Sequence, residues 1–448
     1  RNWSDFVPFD AFPNEFLHPM AQITDLMGDG LSDMALIGTR SVRLYANRRA
    51  QGFADGIDVP HEKKTVEGDD DELPTLSNTP LELVAFADVL GSGQQHLVRI
   101  RHNEVKCWPN LGRGRFGKGF VLSALPFAAH EFNAAQVLLA DLDGSGAADL
   151  IFLETDRLRI FMNRCGQGYE QTSTDLPWPE DVQHDSLCQV STADLQGLGC
   201  SSLILTVPHM TPRHWRYDFV AVKPYLLTAS NNNMGCNASV VYRSSAQEWL
   251  DEKQQILKRK RLPVSHLPFP VAVVKKQQQL DEITGNCLSQ SFSYREGYYD
   301  PLAREYRGFG YLEQTDSESL SGTEDTSFTA PIRACSWYII GQYMNRPRDG
   351  YFASDREDVP LGGTVITRYD AERERDIPFT PKPDSVLPYE IARGMSGTLM
   401  RTEIYNAEDP PLTAKPYTVE EYRYLVREVR PKGDHYPDAI ILPLSLEK

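Results

Sequence analysis

The sequence predicts an all-β (mainly) chain: β-propeller blades over residues 1–225, then extended, hairpin-rich β-sheet over residues 226–448. Two observations predict the blades: an aspartate-led, glycine-broken segment that recurs four times, and an asparagine-based segment that keeps the same spacing. Loss of that period after about Tyr225 marks the change to the second part.

The first segment reads ITDLMGDGLSDMALI from Ile23, FADVLGSGQQHLVRI from Phe86, LADLDGSGAADLIFL from Leu139 and TADLQGLGCSSLILT from Thr192. Its leading aspartates, Asp25, Asp88, Asp141 and Asp194, are spaced by 63, 53 and 53 residues. An acidic insertion around Glu67, Asp69, Asp70, Asp71 and Glu72 accounts for the longer first step and reads as a solvated loop between strands. The second segment reads LYANRRAQGF, CWPNLGRGRF and IFMNRCGQGY, in step on Asn47, Asn110 and Asn163 and again on Phe53, Phe116 and Tyr169. Short alternating runs such as Val42, Leu44 and Ala46 are broken by Gly and Asn turns, the pattern of a multi-stranded blade. One blade cannot bury both of its faces, so the units must stack, and radial stacking protects their edges.

The loops carry their own chemistry. In D-L-D-G-S-G-A-A-D, the residues Asp141, Asp143, Ser145 and Asp149 fall at calcium-loop spacing, because alternating oxygens on a Gly-tightened turn can converge on a hard cation. The competing reading is a turn whose carboxylates cap backbone N–H groups. Asp25, Asp29 and Asp33 make a poorer set, with Met27 where an oxygen ligand is wanted. The loops at Asp88 and Asp194 offer Leu90 and His96, then Gln196, Leu198 and Ser202, too few oxygens for such an ion. Calcium on the Asp141 loop is thus the one cofactor the sequence suggests.

Composition narrows the function classes. At 448 residues the chain exceeds the roughly 250–300 at which a single core stops growing, so at least two domains are expected. Its 46 Lys and Arg against 62 Asp and Glu give a net charge of −16, which repels a phosphate backbone and argues against nucleic acid as a partner. Seven cysteines stand singly, without a CxxC pair, and read as reduced thiols. No apolar run is long enough to span a bilayer as a helix, so direct membrane insertion is not expected. The start at Arg1, with Trp3 and Phe6 close behind and no signal-peptide build, reads as a piece of something longer. GxSxG, HExxH and phosphate-binding motifs are missing, and His209 with His214 lacks a third ligand, so no enzyme is expected.

Past Tyr225, VVYRSSAQEWLDEK offers Ser244 or Ser245 as a helix cap. Lys258, Arg259, Lys260 and Arg261 then fall at the helix end, where cations are favourable by about 0.3–1 kcal/mol. The apolar run Leu267 to Val274, a turn at Asp281 to Asn286 and the alternating strand after it read as a long hairpin about Thr284-Gly285-Asn286. The block SYREGYYDPLAREYRGFGY follows from Ser293 to Tyr311, where Gly308 and Gly310 permit tight packing or a bend.

The series YRSSAQ, LPFPVAVV, DEITGN, YREGYYD, REYRGFG, RTEIYNAEDP, PYTVEEY and LPLSLEK resembles the B component of bacterial insecticidal toxin complexes of the ABC type, nearly end to end. The resemblance implies a secreted, non-catalytic virulence protein. Its FG-GAP-type propeller would dock onto the channel-forming A component. Its following segment would build an RHS-type β shell with the C component around a toxic cargo domain. The chain departs from the family in showing four blade-like units where the family's propeller has six, and in lacking the salmonella-virulence-like region that precedes them, so an incomplete propeller is expected. The alternative, an extracellular propeller for adhesion or sugar binding or a propeller enzyme, rests on the first half alone. A free-standing lectin or lyase has no reason to carry the YREGYYD…REYRGFG block.

Overall fold

The apolar run that follows each aspartate loop becomes a central strand, and four sheets are built around these strands in turn. The first blade holds β1 (Ala21–Thr24), β2 (Asp33–Ile37), β3 (Ser41–Tyr45) and β4 (Ile57–Pro60). The second holds β5 (Glu82–Ala87), β6 (His96–Arg101), β7 (Glu104–Trp108) and β8 (Phe120–Ala124). The third holds β9 (Val137–Ala140), β10 (Asp149–Leu153), β11 (Arg157–Phe161) and β12 (Thr174–Pro177). The fourth has three strands, β13 (Gln189–Ala193), β14 (Ser202–Val207) and β15 (Arg213–Tyr217). Every pairing is an antiparallel meander, as the short connections require.

Why the central strands read as continuous apolar runs is evident from their packing. Both faces of β10 are buried: Leu150 and Phe152 pack with Val98, Ile100 and Cys107 of the second blade, while Ile151 and Leu153 pack with Leu203 and Leu205 of the fourth. Leu97, one residue before Val98, faces the first blade among Leu26, Ala35 and Leu44. The period-2 alternation of a strand therefore feeds two cores at once. Each of the Val, Leu, Ile and Phe side chains among these contributes about 1.5–3 kcal/mol by leaving water.

In this computed structural model the described residues are 8–9, 12–18, 20–27, 31–61, 72–75, 79–208, 211–300, 303–320, 330–345, 350–352, 361–370, 372–382, 385–408, 415–433, 435–436 and 438–448. Glu67, Asp69, Asp70 and Asp71 of the acidic insertion, and His209, lie outside them. Two compact units emerge, Arg1–Tyr225 and Leu226–Lys448.

The second unit is dominated by an eight-stranded antiparallel sheet. Its strands run in the order β16 (Ala229–Asn231), β17 (Cys236–Ser244), β18 (Ala272–Asp281), β19 (Asn286–Asp300), β20 (Glu305–Leu320), β21 (Ile332–Tyr338), β24 (Leu399–Asn406) and β25 (Thr418–Glu421). A four-stranded sheet holds β22 (Val365–Asp370), β23 (Arg375–Pro378), β26 (Arg423–Arg430) and β27 (Ile440–Glu447), with β22 and β26 parallel. The β19–β20 hairpin pairs from Asn286↔Leu320 to Asp300↔Glu305, with a register shift between Gly297 and Tyr299. Gly297 sits where an added Cβ would meet Phe309 and Leu267 at 3.0 and 3.1 Å, so a side chain there would force the aromatic ring aside.

Two helices interrupt this unit, α1 (Ser245–Lys258) and α2 (Leu387–Gly394). Ser244 caps α1, its Oγ accepting the Ala246 N–H at 3.2 Å. Glu248 is buried and anchors the helix to the sheet, accepting from Arg243 at 2.8 Å and from the Tyr294 N–H at 3.0 Å. At the closed end of the long hairpin Arg307 pairs with Asp300, both nearly inaccessible to solvent, and the Tyr389 hydroxyl donates to the same carboxylate at 2.8 Å.

Candidate functional site in the aspartate loops

Each aspartate loop joins the first and second strands of its blade. In the second, third and fourth blades the leading aspartate works as a turn cap. Asp141 Oδ1 accepts the Gly144 N–H at 2.6 Å and Oδ2 the Gly146 N–H at 2.9 Å. Asp88 does the same for Ser92 and Gly93, and Asp194 for Leu198 and Gly199. Gly144 and Gly146 hold φ of 73° and 87°, the left-handed region that explains the glycines of the motif.

The residue eight positions later is the second fixed point. Asp149 is fully buried; its Oδ2 accepts the Leu142 N–H at 2.9 Å and its Oδ1 the Asn163 N–H at 2.7 Å. Asp33 repeats this with Leu26, Met27 and Asn47 at 2.8–2.9 Å. In the second blade His96 stands there, and its Nδ1 accepts the Asn110 N–H at 3.0 Å while Nε2 lies 2.9 Å from Ser92 Oγ. The accepting Nδ1 places the ring hydrogen on Nε2. Burial holds the His96 pKa below its ordinary value, opposed by Asp88.

The asparagines tie one blade to the next. The Asn163 side-chain amide donates to Ala148 O at 3.1 Å and to Val89 O of the preceding blade at 2.9 Å. Asn110 likewise donates to Gln95 O at 3.1 Å and, across to the first blade, to Asp25 O at 3.2 Å. Sequence reasoning marked these asparagines only as landmarks; their fixed offset of 14 residues from Asp33, His96 and Asp149 was the signal that could have revealed the pairing.

Asp141, Asp143 and Asp149 bring carboxylate oxygens within 4.8 Å of one another, the one such acidic group among the described residues. Ser145 turns its hydroxyl to Ala147, accepting that N–H at 3.4 Å. Of the poorer set, Asp33 is spent on backbone N–H groups and Asp29 lies outside the described residues. Burial pushes the Asp149 carboxyl up to about 7; the Asn163 and Leu142 N–H groups oppose this, and the charges of Asp143 and Asp141 add to it. Burial also raises Asp141. For Asp143 burial works the same way, but hydrogen bonds from Ser145 and Tyr225 outweigh it and the pKa is lowered. Each carboxylate oxygen keeps a lone pair after accepting one N–H, so the residues fit a hard cation without dismantling the turn.

Stacked blades followed by long-stranded sheets define an all-β protein of repeated blade units joined to a large antiparallel sheet. Residues 162–341 match the insecticide toxin TcdB middle/N-terminal region, and residues 390–448 match the TcdB middle/C-terminal region. Together these matches take in more than half of the chain, which belongs to the insecticidal toxin B-component family.

Among solved structures, the Photorhabdus luminescens Tc holotoxin pore, in a form mutated in TccC3, is similar with a TM-score of 0.88 and 43% identity over 99% of this chain and 20% of that one. A crystal structure of TcdB2-TccC3-Cdc42 gives 0.78 and 43% over 99% and 20%, and one of TcdB2-TccC3 gives 0.77 and 41% over 99% and 21%. The chain thus spans about a fifth of these solved chains. None of the curated proteins compared matches it.

Proposed function

We propose that this chain is a non-catalytic scaffold segment of a secreted toxin complex, docking through its blades onto a channel-forming A component and contributing its long hairpins to a β shell shared with a C component. The shell would enclose the toxic cargo. The observation that carries this reading is similarity over 99% of the chain to a protein of the Tc holotoxin pore. Physically, a blade face offers rigid loops on a preorganised scaffold, which lowers the ordering cost of docking a large partner. Aromatic and β-branched residues on strands of 15 and 16 residues suit a large sheet.

The test is reconstitution of the full-length parent with candidate A and C components, followed by deletion of residues 1–225. Loss of A-binding with retention of C-binding is expected. If the deletion leaves A-binding intact, or the parent binds neither component and binds glycans instead, the extracellular-propeller alternative takes its place.

A second proposal concerns calcium. The cluster of Asp141, Asp143 and Asp149 favours it, since a divalent cation would relieve the mutual repulsion that accompanies their burial. Main-chain carbonyls would complete the shell.

A further inference from the structure

Helix α1 ends in four consecutive exposed cations, Lys258, Arg259, Lys260 and Arg261. The helix macrodipole, the reason the sequence suggests for them, acts over the last turn, and Lys258 is the basic residue there. The terminal carbonyls need no side-chain donor, because Arg261 N–H reaches Ile256 O at 3.1 Å and Lys260 N–H reaches Leu257 O at 2.9 Å, a Schellman closure. Lys260 occupies the left-handed position of that closure, with φ of 55°, where glycine is the usual residue. Lys260 thus stands at a place the backbone disfavours. Lys258, Arg259 and Lys260 make no ion pair among the described residues.

Exposed apolar side chains lie near these cations along the chain. Ser245 and Glu248 form the packed face of α1, whereas Leu250, Lys253 and Leu257, on the turn positions away from them, are exposed. Leu262 and Val264 follow, 69% and 49% exposed, in the extended segment after the helix. A run of cations flanked in the chain by the exposed Leu257 and Leu262 suits an amphipathic, negatively charged partner.

We propose that this face is a docking surface for an acidic segment of another protein chain that carries apolar residues between its carboxylates. Charge complementarity selects the occupant. Four consecutive cations with exposed leucines before and after them match carboxylates alternating with apolar side chains on a single extended segment. The proposal is independent of the toxin-complex reading.

The experiment uses the full chain and a fluorescent peptide of alternating Glu and Leu, with Glu/Ser and Lys/Leu peptides and vesicles of phosphatidylcholine and phosphatidylserine as comparisons. The Glu/Leu peptide is expected to bind, and to bind about tenfold more weakly to the variant K258Q/R259Q/K260Q/R261Q and at about 0.5 M salt. Leu257→Ser with Leu262→Ser should weaken it as well. Lys260→Gly is the discriminating variant: it should raise the melting temperature by relieving the left-handed lysine, yet weaken peptide binding. Equal binding to the fourfold variant, equal binding of the Glu/Ser peptide, or preferential binding of the vesicles would overturn the proposal.

Discussion

The backbone N–H of Asn163 donates to the buried Asp149 carboxylate at 2.7 Å, locking the end of the third strand of a blade to the start of its second. Because the Asn163 side chain also reaches Val89 O and its Oδ1 accepts the Gly166 N–H, one residue holds a strand, a turn and a neighbouring blade.

Asn163→Ala should therefore cost about 2–4 kcal/mol, since it strands buried carbonyls as well as losing their bonds. Asn110→Ala should cost a similar amount. Asn47→Ala should cost less than about 1 kcal/mol, because the Asn47 amide bonds Ser32 O at an exposed site. Urea unfolding of the three variants checks the order; equal losses would show that the inter-blade bonds carry little.

The Asp149 pKa, raised to about 7, sets a pH dependence. A folded value above the ordinary 3.8 means that the folded state holds the proton more tightly. The resulting stability is complete below about 4 and is lost as pH rises through about 7. Melting temperatures in chelator should fall across that window.

Calcium, if bound, should flatten this slope and raise the melting temperature above pH 7, as a bound cation favours the charged carboxylates. Asp143→Asn should abolish the calcium effect with little change in chelator. An unmodified protein whose melting temperature is the same with calcium and with chelator would reduce the loop to a plain turn.

His96 predicts the opposite sign. Its pKa is lowered by burial from 6.5, so the stability tied to its neutral form is complete above 6.5 and is lost as pH falls through the folded value. Protonation places a hydrogen on the Nδ1 that accepts the Asn110 N–H. His96→Asn, which keeps an acceptor and does not titrate, should remove this loss. An imidazole that titrates at its ordinary value by NMR would refute the account.

Arg307→Met should destabilise by about 3–5 kcal/mol, because it leaves the buried Asp300 carboxylate without its cation. The double variant with Asp300→Asn should recover part of that loss. Additive losses in the thermodynamic cycle would mean the pair is not coupled.

The sequence by itself determined the blade period, the glycine-broken aspartate loops, and a helix start at Ser244 or Ser245. These depend on turn chemistry and strand alternation, which act over a few residues and leave a local trace. Tertiary structure alone decided what the asparagines do, since Asn163 and Asn110 meet their cross-blade acceptors 74 and 85 residues away. It also decided that Glu248 anchors a helix and that Asp300 and Arg307 are buried together. Burial and partner identity come from stacking, and no spacing in the chain encodes which charged residue will be enclosed when blades and hairpins pack.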